Sequence, residues 1–276
     1  MALDIDSKLA VCSWSLRPAT PQQLVENLTT IGIKRVQLAL DPLREAPAVW
    51  GNTPALFQQH GIEIISGMSV TLGEDYSTPE TIRHTGGVAP EATWESNLKN
   101  IGANATIAQQ LGLKLVTFHA GFLPHEHTDP AYQTMLGRLG QLGDLCADLG
   151  LKLGLETGQE SAPALEEFLN RLKRPNVGVN FDPANMILYR MGDPLQALRQ
   201  LGPRLFQCHI KDAIQSATAG VWGSEMVAGQ GEVKWKEFFK VLADLGYTGN
   251  LAIEREAGEQ RVADIIAARK YIQSIQ

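Results

Sequence analysis

Eight short apolar runs recur along the chain, and helix-favouring or amphipathic stretches lie between most of them. The runs read LAVCSWSL, RVQLAL, IEIISGMSV, KLVTFHA, LKLGLET, NVGVNFDPAN, LFQCHIKDA and NLAIERE. Runs of this length read as strands, and strands that alternate with helices assemble into a parallel sheet. Eight repeats predict that the sheet closes into a single (β/α)8 TIM barrel, a fold that uses about 250 residues in one core. The expectation is therefore an α/β chain with one domain over residues 1–276. An open doubly wound sheet is the alternative, but the chain has no glycine-rich dinucleotide fingerprint to accompany it.

Helix punctuation agrees with the repeat. Pro21, Asn97 and the pair Asp193–Pro194 stand where helices are expected to begin, and Gly32, Gly61, Gly112, Gly150, Gly202 and Gly246 where they are expected to stop. Two connections are longer than the rest, residues 71–95 and 213–234. Both follow strands, at the end where barrel active sites form, and long loops there often cover or bind a ligand.

With 44% hydrophobic and 20% charged residues the chain can bury a large core. The 30 acidic and 24 basic residues form no basic stripe, which argues against holding nucleic-acid phosphates by bulk charge. Cys12, Cys146 and Cys208 are odd in number, far apart and set in apolar stretches, so they read as reduced core residues. No apolar run approaches the roughly 18 residues of a membrane span, and the start MALDIDSKLA lacks a signal pattern, which leads to an expectation of a cytoplasmic protein.

Four of the eight runs end in a metal-ligand residue type: Glu156, Asp182, His209 and Glu254. Leu151, Leu153 and Leu155 have the opposite parity to Glu156; Val177, Val179 and Phe181 oppose Asp182; Phe206, Cys208 and Ile210 oppose His209; Leu251 and Ile253 oppose Glu254. Side chains alternate faces along a strand, so all four polar groups turn away from the apolar face and can meet. Two glutamates, one aspartate and one imidazole form a hard, oxygen-rich set suited to one divalent ion, Mn²⁺ or Mg²⁺ first, with Co²⁺ or Zn²⁺ also accommodated. Taken singly, each residue has a structural alternative as a salt-bridge, cap or core hydrogen-bonding partner.

The motifs HAGF from His119, LET from Leu155, FDPAN from Phe181, HIKDA from His209, GQGEVKW from Gly229 and IERE from Ile253 resemble those of the sugar phosphate isomerase/epimerase, or xylose isomerase-like, TIM-barrel family. The resemblance is clear from the fourth strand to the eighth and is consistent with the first part of the chain. It implies that Glu156, Asp182, His209 and Glu254 hold one divalent ion, and that Glu156 and Glu254 also move protons through a metal-stabilised enediolate. The implied activity is isomerisation or epimerisation of a sugar, sugar phosphate or related polyol ketone. A dehydratase of the inosose or dehydroshikimate type is the alternative, since the same enolate can expel a β-hydroxyl. A non-enzymatic sugar-binding barrel and an AP endonuclease-like nuclease stand further off. Nothing in the sequence speaks against a homo-oligomer.

Four residues are candidates for contacting substrate, each with a structural alternative. His119 closes the fourth run and can reach substrate or make a structural hydrogen bond. Lys211 shares the parity of His209 and suits a phosphate or hydroxyl, or pairs with a barrel carboxylate; the neighbouring Gly229 and Gly231 offer backbone that a ligand can approach. Asn185 can donate to substrate or form an Asx turn within DPAN. Trp14 can wall a sugar ring or pack in the core. Ketose 3-epimerases of the family carry a histidine at the position of Asn185 and an arginine at that of Gln215, so their substrate contacts do not transfer. His125, Glu126 and His127 read as an exposed loop.

Overall fold

The computed structural model describes residues 4–275. Eight parallel strands close into a barrel: β1 (Leu9–Cys12), β2 (Arg35–Ala39), β3 (Glu63–Met68), β4 (Leu115–Phe118), β5 (Lys152–Glu156), β6 (Val177–Phe181), β7 (Leu205–Ile210) and β10 (Asn250–Ile253), with β10 pairing β1 and β7. A short antiparallel hairpin, β8 (Asp212–Ile214) and β9 (Ser224–Met226), rises from the end of β7. Closure excludes the open doubly wound sheet.

Strand alternation sorts the side chains into two environments. Val36, Leu38, Leu153, Leu155, Val179, Phe181 and Ile210 are fully buried in the main apolar core shared with the surrounding helices. The opposite faces point into the barrel and are mostly polar. Gln37 donates across to Thr117 Oγ1 (2.7 Å), Ser66 donates to Gln207 Oε1 (2.7 Å), and Gln207 donates to Asn180 Oδ1 (3.3 Å). The first two join strands that are not neighbours, which is possible only through the barrel interior. There the low dielectric strengthens each satisfied bond, so the network gives the interior a directional order that aliphatic packing would lack. Gly154 belongs to this layer: an added Cβ would meet Thr117 Cγ2 at 3.0 Å.

Three local expectations need correction. The run LAVCSWSL is strand only to Cys12, because Ser13–Leu16 forms a 3-10 turn. Ser13 Oγ accepts from Ala39 N (2.8 Å) and Ser15 Oγ from Arg255 N (2.9 Å), and these bonds draw the chain out of the sheet. Asn97 does not begin a helix. The helix spans Glu91–Gln110 after Pro90, and buried Asn97 ties the preceding loop by accepting from Leu72 N (2.8 Å) and donating to Gly87 O (3.2 Å). Gly202 keeps right-handed φ of −46° and continues into the 3-10 turn Gly202–Arg204, whereas Gly32, Gly61, Gly112, Gly150 and Gly246 follow their helices with positive φ. The starts at Thr20–Pro21 and Asp193–Pro194 are as expected, with Asp193 Oδ1 accepting from Leu195 N and Gln196 N.

Both long connections cover the same end of the barrel. The first contains helix Pro79–Thr85, the second the β8–β9 hairpin, and Trp222 Nε1 donates to Tyr76 O (2.9 Å) where they meet. The second is knitted by Asp212, which accepts from Gly229 N (2.8 Å), Gly231 N (3.1 Å), Val233 N (3.1 Å) and Trp235 Nε1 (3.0 Å). A Cβ on Gly231 would stand 2.1 Å from Asp212 Oδ1, so this position admits only glycine. The backbone of Gly229 and Gly231 is thus committed to Asp212 rather than offered to a ligand. No helix among the described residues is long and apolar enough to cross a membrane.

Candidate metal centre

The ends of β5, β6, β7 and β10 bring Glu156, Asp182, His209 and Glu254 together, with one donor atom from each within 4.8 Å of the others. His209 Nδ1 lies 3.4 Å from Glu156 Oε1, 3.4 Å from Glu254 Oε2 and 3.7 Å from Asp182 Oδ2. Ligands about 2.1 Å from a divalent ion stand about 3–4 Å from one another, so this spacing fits such an ion.

Each side chain is set by its local sequence. Asp182 caps helix Pro183–Leu188: its Oδ1 accepts from Ala184 N (2.8 Å) and Asn185 N (3.0 Å), and proline at the first helical position needs no donor. The Asx turn considered for Asn185 is therefore made by Asp182. Thr157 braces the same residue, accepting from Asp182 N (2.8 Å) and donating to Asp182 O (3.0 Å). With Oδ1 spent on the cap, Asp182 Oδ2 faces the cluster without a hydrogen bond, as does His209 Nδ1. Glu254 Oε2 likewise has no hydrogen bond, and its close neighbour is the Lys211 ammonium at 2.9 Å. Buried polar atoms are seldom left unpartnered. Asp182 Oδ2 and His209 Nδ1, converging beside Glu254 Oε2, are what a bound cation would satisfy.

The tautomer of His209 is set from below. Gln37 Nε2 donates to Thr117 Oγ1, whose hydroxyl faces Met68 Sδ (3.0 Å), so Gln37 presents Oε1 to His209 Nε2 at 2.9 Å. Asn180 Nδ2 lies 3.1 Å from the same nitrogen. The shorter contact, to an acceptor, favours the proton on Nε2 and, with a cation bound, an Nδ1 lone pair toward the carboxylates; burial pulls the imidazole pKa down, but Cys12, Glu156 and Glu254 around it outweigh burial, so without a cation the imidazolium is favoured. Cys12, beneath them, is kept a thiol, its pKa pushed up to about 12 chiefly by burial. Burial also pushes the Glu254 carboxyl upward, but Lys211 and His209 outweigh it and hold the group well below its usual value. Glu156 is lowered in the same way, against burial, by His119 and His209.

The candidate substrate contacts divide. Asn185 Nδ2 donates to Glu156 Oε1 (3.1 Å), His119 Nε2 lies 3.4 Å from the same oxygen, and Trp14 Nε1 donates to Glu254 Oε1 (2.6 Å). All three line a cavity of about 740 Å³ above the centre. Lys211 lines it too, but its Nζ sits between Glu254 Oε2 (2.9 Å) and Glu256 Oε2 (2.6 Å). Of the two roles weighed for Lys211, pairing with barrel carboxylates is the one these contacts display. His125, Glu126 and His127 are exposed, as expected.

Several residues around the centre were not singled out in the sequence. Tyr76, Tyr189, Trp222, Glu74 and Glu256 line the cavity; Tyr76 and Trp222 lie in the two long connections, which was the available signal. Gln37 and Asn180 had none, being single amides inside strand-like runs. Glu160, four residues after Glu156, is buried with Oε1 accepting from Leu123 N (3.0 Å).

Residues 19–275 match the family described as xylose isomerase-like TIM barrel. A xylose isomerase domain protein from Planctomyces limnophilus superposes with a TM-score of 0.86 at 28% identity, over 97% of this chain and 95% of that one. D-Psicose 3-epimerase from Clostridium cellulolyticum H10 shares the fold, with a TM-score of 0.71 at 14% identity over 97% and 99% of the two chains. Inosose dehydratase of Geobacillus kaustophilus is 22% identical over 257 residues, 86% of this chain and 80% of that protein. The first three curated relatives are matched over only 40%, 55% and 49% of their own lengths. The named epimerase and dehydratases are enzymes.

Proposed function

Because the chain belongs to the xylose isomerase-like TIM-barrel family, we propose that it is a divalent-metal-dependent isomerase or epimerase of a sugar or related polyol ketone. The observation that carries this reading is the pair of glutamates: Glu156 Oε1 and Glu254 Oε2 each lie 3.4 Å from His209 Nδ1, so two carboxylates flank one point. A divalent ion held by Glu156, Asp182, His209 and Glu254 supplies positive charge beside the oxygens of an α-hydroxy ketone, which acidifies the neighbouring C–H. The hard donor set favours Mn²⁺ or Mg²⁺ and accommodates Co²⁺ or Zn²⁺.

The chain's own groups move the proton. Glu254 stands in the cavity wall, kept ionised by Lys211 and His209 and oriented by the Trp14 indole, and takes the proton from carbon. Glu156, across the centre and with Asn185 fixing its Oε1, returns a proton to the product by passing on one from the His119 imidazolium, whose Nε2 lies 3.4 Å from the same oxygen. Positioned acids and bases of this kind each contribute about 10² to 10⁴ in rate.

A dehydratase is the second reading, and His119 favours it. Burial pulls the imidazole pKa down, but Glu156 and Glu74 more than reverse this and favour the imidazolium. An imidazolium in the cavity wall can protonate a departing β-hydroxyl, which turns proton removal into loss of water. The inosose dehydratases among the relatives agree with that chemistry. A nuclease fits less well, because Lys211 is the sole lysine or arginine among the described lining residues and is already paired.

Proton NMR of metal-loaded protein with ketoses and inososes in D₂O separates the readings. Deuterium at the carbon beside the carbonyl without loss of water supports isomerisation or epimerisation, and a product lighter by one water supports dehydration. A metal-loaded protein that does neither overturns both.

A further inference from the structure

We propose that Cys12, His209 and Glu254 form a second, sulfur-containing position for a thiophilic divalent ion such as Cd²⁺ or Zn²⁺, one level deeper than the four-ligand centre, and that an ion held there excludes one at the centre. The proposal goes beyond the reaction and does not rest on it: it concerns which ion the barrel holds, and where.

Barrel closure makes the position. Along the pairing of β1 with β10, Leu9, Ala10 and Val11 stand beside Leu251, Ala252 and Ile253, which brings Cys12 to the level of Glu254. On its other side Cys12 pairs with Gln37 of β2, and His209 stands beside Ala252 from β7. Leu9 and Val11 pack outward in the main core, whereas Ala10, Cys12 and Ala252 form a separate buried group with Trp14 against it. The strand period of two therefore turns the Cys12 thiol to the same side as Glu254 and His209.

Cys12 Sγ, one imidazole nitrogen of His209 and one carboxylate oxygen of Glu254 lie within 4.8 Å of one another, the same limit that the four ligands of the centre meet. Two of the three residues carry a buried atom without a hydrogen bond, His209 Nδ1 and Glu254 Oε2, the latter with the Lys211 ammonium alongside at 2.9 Å. Gln37 Oε1, 3.5 Å from Sγ and 2.9 Å from His209 Nε2, adds a fourth donor. One sulfur, one nitrogen and two oxygens are a set that zinc takes in four-coordinate geometry.

Softness decides which position is filled. Mg²⁺ and Mn²⁺ prefer oxygen and gain from Glu156 and Asp182, leaving Cys12 a neutral thiol, whereas a thiophilic ion gains most from the sulfur. The carboxylates that a deeper ion leaves behind are not stranded. Glu156 Oε1 has His119 Nε2 at 3.4 Å and Asn185 Nδ2 at 3.1 Å, and Asp182 Oδ2 has Lys211 Nζ at 3.9 Å. His209 and Glu254 are common to both sets, and two divalent ions this close repel, so occupation is exclusive. As the sulfur–metal bond forms, the thiol proton passes to water and leaves through the cavity, and nothing is oxidised.

The test is titration of the whole chain, stripped of metal and kept reduced with a phosphine, with Cd²⁺. The ultraviolet sulfur-to-cadmium charge-transfer band is expected to rise to completion at one equivalent. In Mn²⁺-loaded protein it should rise only as Mn²⁺ is released, read by the paramagnetic resonance of the free ion. Cys12→Ala, which matches the neighbouring Ala10 and Ala252, should lose the band and bind Cd²⁺ about tenfold or more weakly, with Mn²⁺ affinity changed by no more than about twofold. Cys12→Ser should do the same and replaces it if Cys12→Ala does not fold by circular dichroism, while Cys146→Ala and Cys208→Ala should keep the band. Cd²⁺ binding without the band, or a band and Cd²⁺ affinity that survive the loss of Cys12, overturns the proposal. Mn²⁺ that stays bound while the band is complete overturns the exclusion. A protein with a Cys12-dependent band that, loaded with Mn²⁺, exchanges no proton with any ketose or inosose in D₂O refutes the proposed reaction and leaves this site standing.

Discussion

Gln37 Oε1 lies 2.9 Å from His209 Nε2, across the barrel from β2 to β7, and with Asn180 Nδ2 at 3.1 Å it holds the ring with Nδ1 toward the carboxylates. Thr117 orients the Gln37 amide by accepting from its Nε2 at 2.7 Å. Gln37→Leu should therefore lower Mg²⁺ or Mn²⁺ affinity about 10- to 100-fold. Gln37→Glu keeps an acceptor oxygen and should retain more of it. Metal affinity measured by competition with a chelator checks this, and an unchanged value in Gln37→Leu would refute the orienting role.

Asp182 does two things with two oxygens, and substitution can separate them. Asp182→Asn keeps the helix cap and removes the anionic ligand, so metal content should fall with little change in the apo protein's melting temperature. Asp182→Ala loses the cap as well and should cost about 1 kcal/mol more. Metal analysis and melting curves of the two variants are the measurements, and wild-type metal content in both excludes Asp182 as a ligand.

Glu254→Gln and Glu156→Gln keep size and an oxygen but lose the basic carboxylate. Turnover in metal-loaded protein should fall about 10² to 10⁴. Normal turnover in a loaded variant would exclude that residue from proton transfer.

Glu160 has a pH signature. Burial raises its pKa from 4.5 to about 7, so the folded state binds this proton more tightly than the unfolded state. Stability from this group is then fully present below the unfolded pKa and is lost as pH rises through about 7. The size is roughly 3 kcal/mol at 1.36 kcal/mol per unit. Glu160→Gln keeps an acceptor for Leu123 N and should stabilise the protein by up to that amount at pH 8, while matching wild type near pH 4. Denaturant melts at the two pH values decide, and equal differences at both would refute the assignment.

The sequence by itself determined the barrel and the cluster of four polar strand-end residues, because both rest on short-range periodicities. A strand has a period of two, so the parity of Glu156, Asp182, His209 and Glu254 against their apolar neighbours could be read residue by residue, and eight repeats of strand and helix limit the topology. It did not reveal what each ligand's second atom does, since those partners are far away along the chain: Gln37 is 172 positions from His209 and Trp14 is 240 from Glu254. Nor did it show that Lys211 is paired, that Asp212 consumes the glycine amides, or that Glu225 binds the backbone of the loop after β10. Each of those is a choice among several polar partners of the same type, and only closure of the barrel, which brings loops of distant strands within hydrogen-bonding distance, selects one.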